Sequence, residues 1–287
     1  MQAGANRGRI AGVTAVDRPP AVAGHFYPSH PTSLAREVER WLNPGEADTR
    51  APTSPLAVMA PHAGYRYSGR IAGQTYRRVS VPPRVVVLCP NHTGQGARRA
   101  VWTGGDWILP GAHVPVDEEL ALALTRTAGY EADRAAHEDE HSAEVQLPFL
   151  RARQPDLRLT AVCLKRLSFD ECHTLGLGLA LAIRAAAGPD RVLVVASSDM
   201  SHRIPADLAQ KLDLLALERV LALDPRGLYD VVTERDISMC GFIPTTVALV
   251  AAIELGARAS ELVAYGSSGD VTGDYDDVVG YAGVIIS

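Results

Sequence analysis

Long uninterrupted apolar stretches are missing from this chain. No run of about 18 uncharged apolar residues occurs, which argues against a membrane-spanning helix. Lysine is scarce, and no Lys/Arg-rich run is present. With a net charge of −5 and a pI near 6.0, the chain carries no electrostatic footprint for nucleic acid or for a membrane surface. Cysteine is limited to positions 89, 163, 172 and 240, too dispersed for a disulfide framework. Residues 1–17 contain Arg7 and Arg9 but lack the apolar core of a secretory leader. A cytoplasmic protein with reduced thiols is therefore expected. There is no P-loop, dinucleotide fingerprint, G-x-S-x-G elbow or internal repeat.

What is present is a core-forming composition, 47% hydrophobic and 21% charged over 287 residues. Short apolar runs, most of them rich in Val, occur at Val58–Ala60, Val85–Pro90, Leu157–Lys165, Arg191–Asp199, Leu262–Gly266 and Val278–Ile286. Runs of that length read as strands buried on both faces. Helical patterns alternate with them, at about 33–42 with Ser33 as cap, 70–79, 117–128, 140–150, 169–186, 206–222, 225–233 and 243–255. Ala100–Trp102 and Trp107–Leu109, split by Gly104-Gly105-Asp106, read as a hairpin. This alternation predicts an α/β fold, a central mostly parallel or mixed sheet flanked by helices on both faces. Residues 1–17 read as a loose tail and 18–287 as one domain.

Three of the runs end in a residue able to bind metal. Val58-Met59-Ala60-Pro61 leads into His62, Val85 to Asn91 into His92, and Leu193 to Ser198 into Asp199, with His202 just beyond. Ligands in open α/β sheets bind beyond the carboxyl ends of strands, so these residues can share a cleft. Cys240 stands just before a helical pattern, where the helix N-terminus favours thiolate. Each residue alone has a plainer reading: a packed histidine, a helix cap at Ser198 or Asp199, a buried thiol. His137-Glu138-Asp139-Glu140-His141 matches the H-E-x-x-H pattern of zinc hydrolases, with Glu144 as a conceivable third ligand. Its acidic interior reads instead as a solvated face, leaving His141 and Glu144 as pocket residues. The C-terminal cluster Asp270, Asp274, Asp276 and Asp277 reads as a solvated turn.

Seven blocks in order carry a family resemblance. They are Ala21–Pro28, Ala60–Gly69, Pro90–Thr93, Asp139–Glu144 with Leu147-Pro148-Phe149, Ser197–His202, Cys240-Gly241 and Val279–Ala282. Together they resemble the Memo family, known in bacteria and archaea as AmmeMemoRadiSam system protein B. That family is similar in fold to class III extradiol dioxygenases. The resemblance implies a mononuclear metal, Fe(II) or Cu with Zn as a further option, held by His62, His92 and Cys240. It implies His202 as acid/base with Asp199 beside it, and Phe26 and Tyr67 on the pocket wall with His141 and Glu144. An oxidoreductase acting on an aromatic or peptide substrate is the expectation. AMMECR-type and radical SAM proteins are the implied partners. A non-catalytic peptide-binding module using the same cleft is the alternative. Two departures stand out: Cys89 where the family commonly has Gly, and a thiol where the dioxygenases have a carboxylate ligand. A thiolate is softer and more electron-donating, favouring copper or zinc and altering iron redox behaviour.

Overall fold

The computed structural model describes residues 16–43, 45, 50–127, 129–187 and 191–287. The strands are β1 (Ala57–Ala60), β2 (Arg84–Pro90), β3 (Arg99–Val101), β4 (Trp107–Leu109), β5 (Ala112–Val114), β6 (Glu131–Ala132), β7 (Arg158–Leu164), β8 (Val192–Ser197), β9 (His202–Ile204), β10 (Ser260–Ser267) and β11 (Val278–Ile286). The helices are α1 (Pro31–Leu42), α2 (Tyr65–Arg77), α3 (Glu118–Arg126), α4 (Ala135–Glu138), α5 (His141–Glu144), α6 (Leu147–Arg153), α7 (Phe169–Ala187), α8 (Ala206–Leu221), α9 (Pro225–Glu234), α10 (Phe242–Leu255) and α11 (Gly269–Thr272).

The main sheet runs β10-β11-β1-β8-β2-β7-β3-β6, with β9 paired to β11. Its centre, β1-β8-β2-β7, is parallel. Antiparallel β11 closes one side of that centre and antiparallel β3 the other. The sheet is thus mixed around a parallel middle, as the Val-rich runs predict. Both of its faces are covered, and the strand residues alternate between two cores. Met59, Val86, Leu88, Val194 and Ala196 pack with α3 and α7–α10. Val58, Val85, Val87, Cys89, Leu193 and Val195 pack with α1, α2 and α6. Burial on both faces explains why these strands read as continuous apolar runs. Gly176, inside α7, permits the contact with α10: a Cβ there would lie 2.5 Å from that of Val250. Among the described residues, no helix is long and apolar enough to cross a membrane.

Three expectations need correction. Trp107–Leu109 pairs with β5, not with Ala100–Trp102, because the chain reverses at Pro110-Gly111, where Gly111 takes a φ of 79°. The preceding run instead joins the main sheet beside β7. Helix α1 begins at Pro31 after His30, two residues before the expected Ser33 cap, since proline is already set for the first helical turn. Helix α2 begins at Tyr65, earlier than its two glycines suggest; Gly69 and Gly73 lower its propensity but let Trp41 of α1 lie against it. The expected loose tail falls mostly at residues 1–15, outside the described residues. Val16 and Asp17 already bond the Gly105 and Asp106 amides.

The amino-terminal segment enters the interior at Arg18, which is 1% exposed. Its guanidinium lies 2.6 Å from Glu144 and 4.1 Å from the Trp107 ring centroid. It also donates to the carbonyls of His137 and Glu140. Glu144 accepts from Arg18, the Ala21 and Val22 amides and the Tyr27 hydroxyl. Expected on the pocket wall, Glu144 is instead a fully buried anchor for the segment that carries Phe26. Removing one member of a buried pair strands the other charge. Glu144→Ala should destabilise the protein by about 3–5 kcal/mol in urea unfolding. Arg18→Met with Glu144→Leu should cost clearly less than the sum of the two single changes. Additive losses would show that the pair is not coupled.

Candidate metal centre

The carboxyl ends of β1, β8 and β2 lie side by side, and each continues into the same cleft. Pro61 and His62 follow β1, Ser198 and Asp199 follow β8, and Asn91 and His92 follow β2. The chain returns through His202, the first residue of β9, while α5 opens with His141. His62, His92 and His141 form a group that could hold a metal ion, with one nitrogen from each within 4.8 Å of the others. The ring centroids of His62 and His92 are 5.3 Å apart, and His141 stacks on His92 at 4.7 Å.

The hydrogen bonds behind these rings decide which nitrogen faces the cleft. Tyr76 donates its hydroxyl to Gln146 Oε1, which fixes the amide so that Nε2 donates to Ser197 Oγ and the Pro61 carbonyl. Ser197 in turn donates to the Ser142 carbonyl at 2.6 Å. Its oxygen therefore accepts from His62 Nδ1 at 2.9 Å, which places the proton on Nδ1 and leaves Nε2 as a lone-pair donor. His92 Nδ1 likewise donates to Glu140 Oε1 at 2.9 Å, and its amide donates to Glu140 Oε2. Both histidines thus present a ligating nitrogen, each oriented by a partner behind it.

Cys240 completes the approach. Its Sγ lies 3.2 Å from His62 Nε2, and it accepts the Asp199 amide at 3.3 Å. Gly241 is required beside it, because a Cβ there would strike Ser197 and Ser198. The helix N-terminus does not give a free thiolate. Burial and the nearby Asp199 charge push the thiol well above its ordinary value. A bound cation is the influence that would deprotonate it. His62, wholly enclosed and facing His141 and His92, has its pKa held well down.

Asp199 does not orient His202. Its Oδ1 accepts the His62 amide at 2.8 Å and the Ala63 amide at 3.3 Å, so it fixes the turn that carries His62. Burial raises its pKa to about 6 against the pull of these amides and the neighbouring histidines. His202 is held by Ser238 instead: Nδ1 donates to the Ser238 carbonyl at 2.9 Å, leaving Nε2 as the basic atom. The cleft has a volume of about 610 Å³. Phe26, Tyr67, His141 and His202 all line it, with Tyr281 added by the structure; Glu144 does not. Phe26 lies 4.8 Å from the His141 ring.

His137 lies elsewhere. It is fully buried between Trp102 and Trp107, at 6.0 and 6.1 Å, and burial with the Arg18 charge lowers its pKa to about 4. A break at Asp139-Glu140 separates α4 from α5, so His137 and His141 do not share a helix face. The zinc-hydrolase pairing is therefore absent. Ser197, Gln146, Glu140 and Ser238 carry no spacing signal. Their roles depend on contacts between distant segments.

The blocks that converge here run almost the length of the chain, and a family model described as Memo-like protein matches residues 18–285. The chain belongs to the Memo family. It is 41% identical over 283 residues to MEMO1 family protein MK0963 of Methanopyrus kandleri, covering 94% of this chain and 99% of the relative. It is 36% identical over 269 residues to a MEMO1 family protein of Aquifex aeolicus, covering 93% and 98%. A solved structure, uncharacterized protein JW3007 from Escherichia coli K12, matches with a TM-score of 0.57 at 16% identity, over 81% of this chain and all of that one. At that identity the likeness concerns the fold. In this Memo-family chain, His62 and His92 stand at the strand ends the fold uses for ligands.

The Glu140–His92 pair sets a pH dependence. Burial opposes ionisation of Glu140, but the His92 bond and charge and the Ser142 donors outweigh it, bringing the pKa to about 2. Burial likewise opposes the His92 cation, and Glu140 outweighs it, so His92 is raised above 6.5. The Glu140 contribution is present above its ordinary 4.5 and fades as pH falls toward about 2. The His92 contribution is present below 6.5 and is lost as pH rises through the raised value. Glu140→Gln should therefore cost about 1.5–3 kcal/mol near pH 5.5 in urea unfolding, and less near pH 2 or once pH has risen past the raised His92 midpoint. By NMR, the variant should also lower the His92 midpoint. An unchanged midpoint would mean the pair does not act as described.

Proposed function

We propose that this protein is a mononuclear metal-dependent oxidoreductase acting on an aromatic or peptide substrate, with His62, His92 and Cys240 as ligands. The observation that carries the reading is the Cys240 sulfur at 3.2 Å from His62 Nε2. Donors sharing one tetrahedral ion at 2.0–2.3 Å lie about 3.5 Å apart, so this pair already has the needed spacing. The three imidazoles, spread up to 4.8 Å, need a larger closure. His141 borders the same cleft, 4.8 Å from the Phe26 ring. Two neutral imidazoles and a thiolate suit Fe(II), Cu or Zn. Bound iron or copper would supply one-electron and dioxygen chemistry to the cleft.

The remaining roles fall to the chain's own groups. Phe26 and Tyr67 offer faces for an aromatic ring. His202 takes or returns a proton at Nε2, the Ser238 carbonyl keeping the other nitrogen protonated. Asp199 holds the His62 turn by accepting its two backbone amides.

Elemental analysis of protein purified without a histidine tag should find one ion per chain. His62→Ala and Cys240→Ser should each abolish retention. His141→Ala should reduce it by about 10–100-fold, as expected of a neighbour rather than a ligand. His137→Ala should leave the ion in place. Retention by Cys240→Ser together with loss in His141→Ala would replace the sulfur by the third imidazole. Metal-loaded protein should turn over catechols or tyrosyl peptides with dioxygen. Metal-independent peptide binding without turnover would favour a binding module instead.

A further inference from the structure

In an extended strand, neighbouring side chains leave on opposite faces, so His202 and Arg203 of β9 should not both reach one cleft. Both line it. The cause is a β-bulge. His202 pairs with Val279 and Ile204 with Val278, so Arg203 is an extra residue without a partner on β11. Its φ is 59°, in the left-handed region that a bulge normally gives to glycine. An arginine is strained there, and strain of this kind collects at functional sites. Bulges beside such sites re-aim a side chain. Nor does Arg203 hold the neighbouring loop in place. Its side chain is 81% exposed, and its ion pair with Asp277, at 3.0 Å, is open to water, where such a pair stabilises little. The loop is tied down elsewhere: the Ser268 amide donates to the Val279 carbonyl, and the Val279 amide donates to the Ser268 hydroxyl.

We propose that Arg203 is the substrate anchor of the cleft, and that it takes the carboxylate of an aromatic acid whose ring lies against Phe26 and Tyr67. A guanidinium fork matches a carboxylate, and the Asp277 carboxylate already occupies it. An incoming carboxylate replaces a weak, water-exposed partner of the same chemistry. Asp199, Asp274 and Asp277 also line the cleft, which disfavours the second negative charge of a phosphate. That the anchored molecule is a substrate rests on the oxidoreductase reading above. The anchor is tested by binding without turnover, so either can fail while the other holds.

Titration calorimetry on the full chain uses 3-(4-hydroxyphenyl)propionate, its uncharged methyl ester and phenyl phosphate. The acid should bind about tenfold tighter than the ester, the expected worth of a charged hydrogen bond. Arg203→Met should weaken the acid by about tenfold and leave the ester within about twofold. Arg203→Lys should restore part of the loss, keeping the charge without the fork. Asp277→Asn removes the competing carboxylate and should tighten the acid by about threefold. Arg203→Gly should weaken the acid as Arg203→Met does, yet raise the urea midpoint, because glycine relieves the strain. A residue kept for structure would do the reverse, so a lowered midpoint in Arg203→Gly would overturn the proposal. Equal binding of acid and ester, binding of neither, or equal losses for both in Arg203→Met would overturn it as well. Tighter, Arg203-dependent binding of phenyl phosphate would overturn the choice of carboxylate.

Discussion

The Ser197 hydroxyl joins the parts of the candidate site. It ends β8, accepts the His62 imidazole from the neighbouring strand, accepts the Gln146 amide and donates to the Ser142 carbonyl. One small buried group thereby uses its single proton and both lone pairs on two other segments, the turn after β1 and residues 142–146. Because the carbonyl can only accept, the direction of every bond in the chain from Tyr76 to His62 is determined. The ligating face of His62 therefore follows from groups that never touch the cleft. The same logic, with a carboxylate in place of the hydroxyl, holds His92 through Glu140.

These buried polar contacts depend on the sheet. Four parallel strands end at one edge, and helices cover both faces, so the loops beyond that edge are close together and partly dry. In such surroundings an unpaired group is costly, and Ser197, Gln146, Glu140 and Asp199 are each matched to partners. Asp199 shows the consequence. Its position after β8 suggests a partner for His202, yet two backbone amides at the His62 turn need an acceptor, and they take it.

Much of the architecture was legible in the sequence because two-sided burial writes itself as Val-rich runs. The strand ends at His62, His92 and Asp199 were legible for the same reason. The Trp107 hairpin was misplaced because two glycine-containing turns lie within ten residues, and only the sheet decides which run each strand joins. Glu144 looked like a pocket group because it follows His141 by one turn; nothing local reveals that Arg18 lies against it. The Cys240 thiol was expected to be acidic from its helix end, but enclosure outweighs the dipole. Gln146 and Ser238 had no signal, and the block that holds Ser197 did not reveal its partners, since an ordinary polar residue acquires its role only from what lies across the fold.

The bond between Arg18 and Glu144 spans 126 residues, and the contact between His62 and Cys240 spans 178. On a ribosome the first segment emerges long before its anion, and the first imidazole long before its sulfur. The centre therefore has no local precursor: it assembles only after nearly the whole polypeptide has been made. An ion that met the nascent chain would find single histidines, so any metal selection would belong to the finished molecule.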